Sequence, residues 1–112
     1  MNAIALGKVT VTTAGTPVPI TAAMITAAGG QLPPNGGCCR IEAWAVPGST
    51  GVVFVKTVQG NKVVMALPVP ASGFAENWVA EDPEGGNTIY PAAFQLDAAS
   101  NNDGAYVTVW VS

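Results

Sequence analysis

The stretch from Cys38 to Val58 constrains the fold more than any other. It reads Cys-Cys-Arg-Ile-Glu-Ala-Trp-Ala-Val, then Pro-Gly-Ser-Thr-Gly, then Val-Val-Phe-Val-Lys-Thr-Val. Before the breakers, polar and apolar residues alternate, as they do on a half-buried strand. After them comes the β-branched run of a more deeply buried strand. Pro47 cannot donate to a ladder, and Gly48 and Gly51 tolerate left-handed backbone, so the chain must turn between the two. The expectation is a β-hairpin with Ile41, Ala43 and Ala45 on its inner face and Arg40, Glu42, Trp44 and Val46 on the outer one. The small inner residues imply close approach of a second sheet or a bulky partner side chain.

The same grammar recurs along the chain. Lys8 to Thr13 alternates, with Val9 and Val11 inward. Val18 to Ile25 is apolar but interrupted by Pro19, which suits an edge strand or a strand's first residues. The alanine-rich Thr21 to Ala28 has helical propensity. Its β-branched residues and the Gly29-Gly30 stop leave it too short for an independent helix, so no helix is expected there. Gln31 to Gly37 is a loop of breakers with an Asn35-Gly36 turn signal. Phe74 to Val79 reads as a short segment with two aromatics, Thr88 to Tyr90 and Ala93 to Leu96 as short strands or an irregular connection around Pro91, and further strands are expected over Lys62 to Val69 and Ala105 to Ser112. In the last, Val107, Val109 and Val111 face inward, and Tyr106, Thr108, Trp110 and Ser112 outward. Glu81 to Asn87 and Asp97 to Gly104 read as solvated loops. Seven or eight short strands separated by turn signals, with no long helix, predict one antiparallel β-sandwich, jelly-roll-like, or a small barrel. All 112 residues belong to this single domain, with a loop-rich insertion around 70–92.

Composition narrows the role. Charged residues are only 10% of the chain, where about 25% is usual. A surface so poor in charge suits a subunit committed to protein contacts. Four Lys and Arg residues make no cationic footprint for nucleic acid or an anionic membrane. No apolar run reaches the roughly 20 residues of a membrane helix. Met1 to Lys8 lacks the pattern of a signal peptide. Cys38 and Cys39 are adjacent, so on a strand they point to opposite faces. Two free thiols formed in a reducing cytoplasm are expected, a strained vicinal disulfide being the alternative.

Histidine is absent, which removes Ser-His-Asp and Cys-His triads and most zinc sites. No pair of carboxylates is singled out for glycosidase chemistry, and no glycine loop is set to cradle phosphate. The chain is therefore expected not to be an enzyme and to need no cofactor. Asp97, Asn101 and Asp103, with Asn102 and Gly104, cluster enough oxygen to invite calcium, although the EF-hand spacing is missing. The same residue types bond their own backbone in turns, and that reading competes. Trp44, Trp78, Tyr106 and Trp110 are candidate interface residues, because aromatics on a low-charge surface anchor a neighbouring subunit or stack on a sugar. Ordinary core packing is the third reading.

Three segments carry a resemblance: residues 7–21 with Gly15-Thr16-Pro17-Val18-Pro19-Ile20-Thr21, residues 39–55 with Ala45-Val46-Pro47-Gly48-Ser49-Thr50-Gly51 and Val53-Phe54-Val55, and residues 94–109 with Asp97 and Asn101-Asn102-Asp103-Gly104. Together they make the chain resemble small virion structural proteins of tailed bacteriophages, over most of its length. Trp44, the cysteine pair and the longer insertion at 70–92 depart from that pattern. The resemblance implies a virion protein made in the host cytoplasm. A capsid decoration (cement) protein heads the possibilities, binding the major capsid protein and copies of itself as a homo-oligomer, without nucleic acid or membrane. A tail or head–tail connector component is the alternative within the virion. A carbohydrate-binding module is the alternative from another class.

Overall fold

A computed structural model describes residues 2–70 and 76–112. Its strands are β1 (Asn2–Val11), β2 (Val18–Pro19), β3 (Arg40–Ala45), β4 (Val53–Thr57), β5 (Val63–Leu67), β6 (Asn77–Glu81), β7 (Phe94–Ala98) and β8 (Asp103–Val111), with one helix, α1 (Ala22–Ala27). They form two four-stranded sheets in the orders β1-β8-β3-β6 and β2-β7-β4-β5, antiparallel throughout. The pairs β1·β8, β2·β7, β3·β6 and β4·β5 are the rungs of one long hairpin ribbon. Rolling that ribbon up adds β8·β3 and β7·β4 and closes a jelly-roll sandwich.

The chain from Cys38 to Val58 is consequently not a hairpin. β3 pairs with β8 and β6, whereas β4 pairs with β7 and β5, in the opposite sheet. Residues 46–52 carry the chain over the end of the sandwich. Ile41, Ala43 and Ala45 on one side, and Val53 and Val55 on the other, are all at most 1% exposed. Two strands with apolar inner faces bury both by stacking, whereas side-by-side pairing would leave each face in need of another cover. The small residues of β3 fit that close approach.

Val11, Ile20, Ile25, Leu67, Leu96, Val107 and Val109 complete the core. Each is worth about 1.5–3 kcal/mol relative to exposure. β1 starts at Asn2, earlier than its alternation suggested. Its register slips between Ala5 and Gly7, where Gly7 takes φ +72° in a bulge. Asp97 and Ala98 belong to β7, and Asp103 and Gly104 to β8, so the expected eight-residue loop shrinks to a turn over 99–102. Gly104 is required where it sits: a Cβ there would collide with the Val9 carbonyl of the adjoining strand. Of the 74–79 segment, Phe74 and Ala75 lie outside the described residues, and Asn77–Glu81 is β6. Thr88 to Tyr90 contributes only a bridge from Ile89 to Cys38, and Pro91–Ala93 forms a single 3-10 turn.

The helix is a second correction. Thr21 Oγ1 accepts from Met24 N at 3.3 Å and caps the start. At the other end Gly29 N donates to Thr26 O and Gly30 N to Ile25 O, both at 3.0 Å, with Gly29 at φ +88°. That is a Schellman close, which needs glycine at the left-handed position. Ile25 is fully buried. Two good ends and one buried anchor hold six residues that propensity alone would not.

Candidate functional site

The outer face of the β1-β8-β3-β6 sheet is set by register. Trp44 stands opposite Tyr106, Glu42 opposite Thr108, and Arg40 opposite Trp110, with Asn77, Val79 and Glu81 of β6 on the far flank of β3. Trp44 and Tyr106 are 39% and 47% exposed. Beside them Glu42 is only 6% exposed, although it sits on an outer face. Its Oε2 is 3.1 Å from Arg40 Nη2, and its Oε1 accepts from Asn77 Nδ2 at 2.9 Å. Arg40 also reaches Glu81 at 3.6 Å and lies 5.0 Å above the Trp110 ring. A desolvated carboxylate kept in place needs such partners. The network fixes one end of the face, and the Trp44–Tyr106 rings remain open to an incoming partner.

Of the four aromatic candidates, Trp44 and Tyr106 are exposed and Trp110 is half-buried beneath Arg40. Trp78 is a correction. It is 7% exposed and meets Phe94 edge-to-face, ring centroids 4.7 Å apart, inside the sandwich. Asn77 and Glu81 on the same strand point outward, so alternation over Asn77-Trp78-Val79-Ala80-Glu81 already assigns Trp78 to the core.

The oxygen-rich cluster is brought together differently from a metal centre. Asp97 Oδ1 accepts from Gly15 N and Ala98 N at 2.9 and 2.8 Å, and its Oδ2 pairs with Lys56 Nζ at 2.8 Å. Asn101 Oδ1 accepts from Ala14 N at 2.8 Å. Asp103 accepts from Thr50 N at 3.0 Å and Gly51 N at 2.8 Å. Three side chains thus tie the β1–β2 and β3–β4 loops to β7, β8 and the turn between them. These oxygens face N–H donors, and among the described residues no group of three or more His, Cys, Asp and Glu converges. Burial alone would raise the Asp97 pKa. The Lys56 ammonium and the Ala98 and Gly15 N–H groups outweigh it and hold the carboxyl below its ordinary value. Sequence reasoning missed Lys56 and Glu42. Glu42 reads as an outward residue by alternation, and Lys56 lies in a β-branched run far in sequence from the Asp97 it pairs with.

Cys38 and Cys39 are free and buried. Burial pushes the Cys38 thiol up to about 11, so it is not a nucleophile at neutral pH. Cys39 Sγ lies 3.2 Å from the Trp110 carbonyl. Among the described residues no helix is long and apolar enough to cross a membrane. Comparison with known proteins finds no matching family model, and no curated protein or solved structure similar to this chain.

Proposed function

We propose that the protein is a structural subunit of a tailed-phage virion, a decoration protein that binds the outer surface of the assembled head and stabilises its lattice. The observation that carries this reading is the Trp44–Tyr106 pair: two cross-strand neighbours left exposed on the outer face of one sheet of a jelly roll, on a chain with few charges. Aromatics at such positions are the usual anchors of protein interfaces. The resemblance of residues 7–21, 39–55 and 94–109 to phage virion proteins supplies the identity of the partner, the major capsid protein. The jelly roll adds an analogy at the level of architecture, since this fold recurs in capsid proteins and in lectins alike. Several weak contacts made at once across a lattice give an avidity that one contact does not. No catalytic role is assigned.

Co-sedimentation with heads lacking the protein tests the reading. The intact chain pellets with heads. The double variant Trp44→Ala/Tyr106→Ala stays in the supernatant although it folds. Failure of the intact chain to pellet removes the head assignment, and labelling found on tails moves the protein to the tail or connector.

One observation favours a second reading. The exposed rings sit beside hydrogen-bonded carboxylate and amide groups on the same face, an arrangement that also suits sugar stacking. Saturable quenching of tryptophan fluorescence by a glycan, lost in Trp44→Ala, selects that reading.

A further inference from the structure

We infer that Asn35 is a modification site: its side-chain amide fastens one end of the sandwich, and spontaneous deamidation of the Asn35-Gly36 pair, gated by that fastening, makes it a catch that opens once and does not close again. This inference is independent of the virion assignment.

The fastening lies where β3 begins and β6 and β8 finish, at the end of the sandwich away from the Asp97 and Asp103 loops. There Cys38 N donates to Ile89 O at 2.6 Å and Ile89 N to Cys38 O at 2.9 Å. Cys39 N donates to Trp110 O at 2.8 Å, and Asp82 N to Cys39 O at 2.9 Å. Asn35 extends this backbone seam with its side chain. Its Nδ2 donates to Asn87 O, and its Oδ1 accepts from Gly37 N, both at 3.0 Å. Asn87 Oδ1 in turn accepts from Ser112 N at 3.0 Å. Gly37 leaves no slack, since a Cβ there would collide with the same Asn87 carbonyl.

Asn35-Gly36 is the only Asn-Gly pair in the sequence. With no Cβ on glycine, the backbone nitrogen after the asparagine is unhindered. That nitrogen attacks Asn35 Cγ. The N–Cγ bond forms, the Cγ–Nδ2 bond breaks, and the proton lost from Gly36 N leaves with the amide as ammonia. Water then opens the cyclic imide at one of its two carbonyls, giving aspartate or isoaspartate. The sum is amide plus water to acid plus ammonia, and it needs no oxidant and no cofactor.

The folded chain holds both reacting groups back. Gly36 N donates to Pro33 O at 2.9 Å, and the Asn35 amide is bonded through both its nitrogen and its oxygen. Reaction therefore waits for the seam to open locally. Once it has occurred, the seam does not re-form. An aspartate at this position has no donor for the Asn87 carbonyl and sets acceptor against acceptor. An isoaspartate adds a methylene to the backbone directly before Gly37, where there is no room for it.

The test incubates the full chain at mildly alkaline pH, in native buffer and in guanidinium chloride. Trypsin releases the peptide from Val9 to Arg40, whose only asparagine is Asn35, and mass spectrometry follows its conversion from amide to acid. Conversion is expected to be at least about tenfold slower in native buffer. Gly37→Ala keeps the Asn-Gly pair but presses on the Asn87 carbonyl. It is expected to react faster than the intact chain in native buffer and at the same rate in guanidinium. Circular dichroism checks that it folds, and Asn87→Ala, which releases the Ser112 end of the seam, replaces it if it does not. The deamidated chain, separated by ion exchange and refolded, is expected to unfold at a lower guanidinium concentration than the intact chain, as is Asn35→Asp. Equal rates in the two solvents overturn the inference. So does a seam variant that reacts no faster than the intact chain in native buffer, and so does a deamidated chain as resistant to guanidinium as the intact one.

Discussion

The loop end of the sandwich and the outer face of its first sheet both stand out in the amino-acid sequence, and folding treats them in opposite ways. At the loop end Asp97, Asn101 and Asp103 have their acceptor oxygens turned to N–H groups of loops more than fifty residues away. Those side chains hold the jelly roll shut. On the sheet face the polar residues Glu42, Arg40 and Asn77 satisfy one another, while Trp44 and Tyr106 keep open ring surface. The difference teaches how to tell scaffold from contact surface. A conspicuous side chain whose bonding capacity is committed inside the chain is structural, and one whose capacity is open is available to a partner.

The contrast is sharpest within the tryptophans. Trp78→Ala removes a buried ring and its contact with Phe94, at a cost of about 3–5 kcal/mol in urea unfolding. A cost comparable with that of Trp44→Ala would erase the distinction. At the loop end Asp97→Ala leaves Lys56 without its carboxylate and is expected to cost about 3 kcal/mol. The pH dependence has a definite sign. The Asp97 pKa is lowered on folding, so its contribution is present above the unfolded value of 3.8 and is lost as the pH falls below it towards the folded value. Between neutral pH and about pH 3, the intact protein should therefore lose more stability than Asp97→Asn does. Equal losses would detach the clamp from Asp97. The smallest effect on stability belongs to the contact face. Trp44→Ala is expected to change unfolding by less than about 1 kcal/mol and, on the proposed function, to weaken head binding. A large loss of stability would make Trp44 scaffold and reverse the comparison.

Much of the fold was legible locally. The inward valines of β1 and β8, the edge position of Val18 and Pro19, and the turn at Asn35-Gly36 follow from side-chain period and backbone preference. Of the aromatic candidates, the exposure of Trp44 and Tyr106 was readable from alternation. The burial of Trp78 was too, once Asn77 and Glu81 are taken as the outward residues. What was not legible depended on which elements meet. Alternation says that a strand has an inner face, but not whether the next strand lies beside it or above it, so the Cys38–Val58 segment reads as a hairpin although it crosses between sheets.

By itself, then, the order of residues determined that this chain is a set of short antiparallel strands with an apolar side and frequent turns, because φ/ψ restrictions and side-chain period act over neighbouring residues. The tertiary structure alone decided that β3 and β4 stack across the core, that a six-residue helix forms between β2 and β3, and that Asp97 and Asp103 close loops through distant N–H groups. Each of those outcomes depends on groups far apart in the chain. Bulges such as that at Val64 belong with them, since an extra residue is defined only against the partner strand it fails to match.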